Sequence, residues 1–169
     1  MNKVKSIILL INIMLIAVIS CACSNTEPIV KNDSKTAINV EQFTNILSSK
    51  GYNVQNMTND ISTDSSWANS GLKEMAMCDI DNDNDNYIFI MVYNDTNIAK
   101  LNSVINNLKN KGSIKENITG NNYESYVNKL TLGRYYIIYT KVDNTLIMSQ
   151  VPKDNYDTRY NLIHNDLGY

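Results

Sequence analysis

The sequence is short of the residues that break or cross-link a chain. Two prolines and six glycines in 169 residues exclude collagen-like and Pro/Gly-rich disordered classes. The three cysteines (Cys21, Cys23 and Cys78) form no Cys-x-x-Cys pair, and there is one histidine, His164. No structural zinc site can be written from that set. Basic side chains number 15 against 17 acidic ones, for a formal net charge of −2. With no basic patch standing out, nucleic acid is excluded as a partner. Gly-x-Ser-x-Gly, His-Glu-x-x-His, Walker and dinucleotide motifs are all absent, so no cofactor is expected.

What is there begins at the amino end. Lys3 and Lys5 precede an apolar run from Ser6 to Ile19, interrupted only by Asn12, and Val18-Ile19-Ser20 leads into Cys21. Charge, short apolar core and small residue before the cysteine are the order of a secretory leader, and the run is too short for an ordinary spanning helix. Val18-Ile19-Ser20-Cys21 resembles the lipobox of bacterial lipoproteins. The resemblance implies cleavage before Cys21 and acylation of its thiol. Cys23 follows Ala22 and is the alternative anchor, but its third upstream position is Ser20, where the lipobox has an aliphatic residue. The use of 27 asparagines beside many Ile, Lys and Tyr matches the codon bias of a low-GC Gram-positive bacterium such as a clostridium. There a lipoprotein sits on the extracytoplasmic face of the cell membrane. Removing Lys3 and Lys5 with the leader leaves 13 basic against 17 acidic side chains. A net −4 domain is mildly repelled by anionic headgroups, so the lipid is expected to supply the attachment.

The expected organisation is a leader at 1–20, a lipid-anchored flexible tether at 21–38, and one domain at 39–169. Asn39-Val40-Glu41-Gln42 has the form of a capping box, followed by Val40, Phe43, Ile46 and Leu47 on one helical stripe and a stop at Gly51. Leu72–Ile80 and Tyr87–Tyr93 read as strands. The second, YIFIMVY, is apolar throughout, as in a strand covered on both faces or lying under helices. Ile98, Leu101, Val104, Ile105 and Leu108 share a face of a second helix that Gly112 ends. Ser113–Asn121 reads as a polar loop. Tyr123–Leu130, Arg134–Val142 and Thr145–Val151 read as a meander whose Asp143-Asn144 link is a tight hairpin turn. A last helix aligns Tyr156, Tyr160, Ile163 and Leu167. The expected fold is α+β: about five antiparallel strands in the order helix-β-β-helix-β-β-β-helix, with the helices on one face. Element order, Asp143-Asn144-Thr145 and the closing Leu167-Gly168-Tyr169 are similar to small clostridial surface lipoproteins without an assigned activity. That resemblance implies no catalytic residue.

Three constellations are candidates for function. Asp79 and, alternating with Asn, Asp81, Asp83 and Asp85 fall in one turn, but an EF-hand loop begun at Asp79 or Asp81 lacks both the sixth-position Gly and the twelfth-position Glu. A solvated Asn/Asp turn is the expectation, with the four aspartates only a weak calcium set. Cys78 and His164 would form a thiol–imidazole dyad, although Cys78 lies mid-strand, away from anything that lowers a thiol pKa. Tyr135, Tyr136 and Tyr139, alternating on one strand, together with Trp67, are the candidate partner surface. Two functions follow as expectations: a non-catalytic, membrane-tethered interaction module for a protein or cell-wall partner, or a cell-envelope hydrolase or thiol enzyme using Cys78 and His164.

Overall fold

The computed structural model describes residues 26–63, 70–80, 86–130 and 133–169. The first helix, α1 (Val40–Ser49), starts where the sequence places it. Asn39 accepts from the Gln42 N–H at 2.8 Å, and Gln42 returns a bond to the Asn39 N–H at 3.0 Å. This reciprocal pair satisfies two amides that a helix start leaves open. Val40, Phe43 and Leu47 are the buried stripe, and each of these large side chains contributes roughly 1.5–3 kcal/mol by leaving water.

The strands are β1 (Ile29–Val30), β2 (Val54–Asn56), β3 (Leu72–Asp79), β4 (Tyr87–Tyr93), β5 (Ser113–Thr119), β6 (Tyr123–Leu130), β7 (Tyr135–Val142) and β8 (Thr145–Pro152). The other helices are α2 (Thr58–Thr63), α3 (Ile98–Lys109) and α4 (Tyr156–Asn161), the last running on as a π turn over Leu162–Asp166. All eight strands form one sheet in the order β1-β5-β6-β7-β8-β4-β3-β2, antiparallel except for the parallel pair β1–β5.

The expectation of about five antiparallel strands with helices on one face is therefore corrected on three points: eight strands, a mixed sheet, and helices on both faces. The additional strands are the edges and their neighbour. β2 has three residues and β1 two, and β5 (SIKENIT) is polar at most positions. Strands that short, or that polar, carry little periodic signal of their own. Both faces are covered. Ile88, Ile90 and Val92 of β4 pack with α1 and with Leu162 and Ile163 that follow α4. Phe89, Met91 and Tyr93 pack with Leu101, Ile105 and Leu108 of α3. All seven residues of β4 are buried, which accounts for its unbroken apolar run.

The polar segment before α1, expected as a tether, is bonded to the domain from Thr26 onward. Thr26 donates its hydroxyl to the Ile114 carbonyl (2.9 Å), Ile29 and Val30 pair with Ile118 and Thr119, and Tyr123 donates to Asp33 (2.8 Å). Lys35 and Asn122 exchange two bonds. Among the described residues no helix is long and apolar enough to cross a membrane.

Candidate functional site

The polar groups that converge most closely lie under the β3–β4 connection. Arg159 sits three residues after Tyr156 and four before Ile163, on the stripe that α4 turns toward the sheet. It is buried. Its Nη1 donates to the Tyr87 carbonyl (3.0 Å) and to Ser149 Oγ (2.6 Å), and its Nη2 donates to Asn86 Oδ1 (2.8 Å). Ser149 in turn donates to the Tyr87 carbonyl at 2.6 Å. A guanidinium thus stands beside Asn86 and Tyr87, where β4 begins. Of the four aspartates considered as ligands, Asp79 ends β3, while Asp81, Asp83 and Asp85 lie outside the described residues. Among the described residues no three His, Cys, Asp or Glu side chains are grouped to hold a metal ion.

Cys78 belongs to the same region but not to its chemistry. It is 0% exposed on β3, within the layer under α1, and its thiol's only hydrogen bond among the described residues is a long one to the Asp79 carbonyl (3.7 Å). Burial pushes the thiol up to about 11, against the opposing pull of Arg159. A thiolate nucleophile needs the reverse.

His164 has different partners. Its ring lies 4.0 Å from that of Tyr160, and its Nδ1 bonds the Tyr169 carbonyl. Its Nε2 is buried with no hydrogen-bond partner among the described residues. That pattern fits a neutral ring with the proton on Nδ1, and burial accordingly holds its pKa below the usual value. The structure brings Cys78 and His164 into no hydrogen bond.

His164 instead closes an aromatic ladder. Tyr136 meets Tyr156 at 4.6 Å, Tyr156 meets Tyr160 at 5.7 Å, and Tyr160 donates to Glu116 at 2.7 Å. The Lys115 ammonium lies 3.8 Å over the Tyr156 ring. An irregularity in the β5–β6 pairing between Ile114 and Glu116 sends both Lys115 and Glu116 to this face, as an extra residue in a strand does. The rings are already paired, so the ladder acts as a brace between α4 and β5. Burial and the Glu116 carboxylate raise the Tyr160 hydroxyl well above its ordinary value.

Two of the three tyrosines expected on a partner surface, Tyr136 and Tyr139, are interior. Tyr139 is 0% exposed, stacked on Tyr126 at 5.1 Å, and Tyr136 is 8% exposed under α4. Tyr135 is half-buried. Trp67, Cys21 and Cys23 lie outside the described residues. What the sequence did not disclose is a groove of about 660 Å³ beside the β2 edge, between the start of α1 and the ends of β2 and β3. Its polar lining includes Glu41, Asn45, Asn56, Asn59 and Glu74. Two carboxylates and three side-chain amides suit a ligand that offers hydroxyl, amide or ammonium donors. Compared with protein-family models, with curated proteins and with solved structures, the chain matches none.

Proposed function

We propose that this protein is an extracytoplasmic lipoprotein, anchored to the cell membrane through Cys21 and acting as a non-catalytic binding module. The observation that carries the non-catalytic reading is the state of Cys78: sealed in the core, its thiol pushed up by burial, it is the wrong form of cysteine for nucleophilic attack. The anchor rests on Lys3, Lys5, the apolar run and Val18-Ile19-Ser20-Cys21. The groove beside β2 supports a binding role in place of the tyrosine surface. Its ligand is a polar one, rich in hydrogen-bond donors, as wall glycans and stem peptides are.

A metabolic fatty-acid label tests the anchor. Incorporation by the wild type and its loss in Cys21→Ala is the expected result, while loss only in Cys23→Ala moves the anchor two residues on. Thiol alkylation of the native protein tests the rest. Cys78 should react only after denaturation, and rapid native labelling suppressed by His164→Ala would restore the thiol-enzyme reading.

A further inference from the structure

The β2 edge of the sheet and the groove beside it are open together. β2 is the last strand in the sheet order, and its Gln55 and Asn56 are exposed. The Met57 N–H donates to the Met75 carbonyl at 2.9 Å, and Gln55 lies opposite Met77. Alternation along an antiparallel pair therefore turns the N–H and C=O of Gln55 toward β3, and those of Val54 and Asn56 outward. Among the described residues nothing bonds to these outward backbone groups. The groove's side chains have capacity left as well. Asn56 lies opposite Ala76 and so shares the face of α1. Glu74 reaches that face through an irregularity in the β3–β4 pairing. Leu72 and Met75 both pack on the α3 side, which leaves Glu74 opposite Val92 on the α1 side. An extra residue in a strand re-aims a side chain in this way. The Glu74 side chain is 29% exposed, and its ion-pair partner is the neighbouring Lys73 at 3.6 Å. Across the groove, Glu41 is exposed in the first turn of α1. Neither Glu41 nor Asn45 has a side-chain hydrogen bond or ion pair among the described residues.

Resting on the binding-module reading, we infer that the groove takes an extended peptide, which joins the sheet as a further strand outside β2 and carries a basic side chain to Glu41 and Glu74. The outward N–H and C=O groups of Val54 and Asn56 are the pattern that an added strand completes, and alternate side chains of that strand turn toward α1. The added strand lies two spacings, about 10 Å, from β3, a span that a lysine or arginine stem and the Glu74 side chain bridge together. Two carboxylates at the groove complement a cation. An edge of three residues is too short to pair indiscriminately, so the carboxylates decide what binds. A glycan fits less well, because the described lining of the groove holds no aromatic ring on which a sugar face would stack.

The test uses the full-length protein in detergent micelles. Phage-displayed random heptapeptides are selected on the wild type, with Glu41→Gln/Glu74→Gln as the counter-target. Selected sequences should share a Lys or Arg at one position, and a synthetic peptide of that sequence should bind the double variant about tenfold more weakly. N-methylation of alternate peptide amides should abolish binding in one phase and spare it in the other. With the peptide bound, the Val54 and Asn56 amides should exchange many-fold more slowly, while Gln55 exchanges as before. The Gln side chains are isosteric with Glu, and an unchanged urea midpoint shows that the variant folds. Selected peptides that lack a basic residue and leave Val54 and Asn56 exchange unaltered overturn this inference alone. Binding of a tetramer of N-acetylglucosamine, lost in Asn45→Ala/Asn59→Ala, overturns it in favour of a glycan and leaves the binding module standing. Failure of both probes overturns the two readings together. Protection of Val54 and Asn56 that rises with protein concentration alone also overturns it, assigning the edge to a second copy of the chain.

Discussion

At the scale of single residues the side chains that hold the molecule are polar ones inside it. Arg159 donates to three acceptors in a buried layer, and removing it leaves Asn86 and the Tyr87 carbonyl under-satisfied. Arg159→Met should cost about 3 kcal/mol, read as a lower urea midpoint. Arg159→Lys should recover only part of this, since one ammonium cannot reproduce the fork. An unchanged midpoint would show that the network is incidental. His164 gives a pH dependence. In the unfolded chain its imidazole protonates near the ordinary 6.5, while in the native state burial holds protonation to lower pH. As pH falls through 6.5 the unfolded state therefore binds the extra proton, and stability drops until the pH passes below the native value. The urea midpoint should fall as the pH is lowered from neutrality through 6.5, and His164→Asn should flatten that slope. A second fall belongs to Glu124. Burial alone would raise its carboxyl, but bonds from Lys109 and Tyr126 outweigh that and hold it below 4.5. Its contribution is present above that value and is lost as pH falls through the native one.

At the scale of elements, the acidic turn is expected to hold no tight calcium site. Its missing Gly and Glu are sequence facts, and to them the fold adds a guanidinium bonded at Asn86. Titration of the domain from Thr26 onward with calcium should give no heat at micromolar concentrations. Micromolar binding abolished by Asp83→Ala would refute this. The elements legible in the sequence were those with strong periodicity or a cap: α1 with its capping box, β4, α3, and the β6–β7–β8 meander. Those that escaped notice, β1, β2, α2 and β5, are short or polar and are fixed by tertiary pairing rather than by their own pattern. The face assignment failed for a related reason. Periodicity says which residues of a helix are buried, not which side of the sheet the helix crosses to, and only the unbroken run in β4 hinted at two covered faces. For the site, Cys78 was legible as a strand thiol. Arg159 was not singled out, although a cation on the apolar stripe of α4 was the signal that could have found it. The groove beside β2 was not legible, because Glu41, Asn56 and Glu74 come from three separated segments.

At the scale of the molecule, the chain's two described ends are tied to each other. Tyr169 is completely buried, its hydroxyl accepts from the Ile38 N–H at 3.0 Å, and the Lys35 ammonium donates to the Gly168 carbonyl at 3.0 Å. The His164 ring holds the Tyr169 carbonyl from the other side. These contacts fix the start of the domain against its final turn, and through β1 they fix the edge that runs back toward Cys21. Tyr169→Phe keeps the ring in the core but takes the acceptor from Ile38, so it should cost about 1 kcal/mol. Tyr169→Ala also empties the core site and should cost about 3–5 kcal/mol. Native-state hydrogen exchange separates the two roles. In Tyr169→Phe the Ile38 amide should exchange faster, while the amides of β4 and β8 keep protection close to the wild-type level, because local opening of that segment does not require the central sheet to unfold. Equal loss of protection at Ile38 and in β4 would mean that the segment opens only with the whole domain, and that Tyr169 supports the core without acting as a separate clasp.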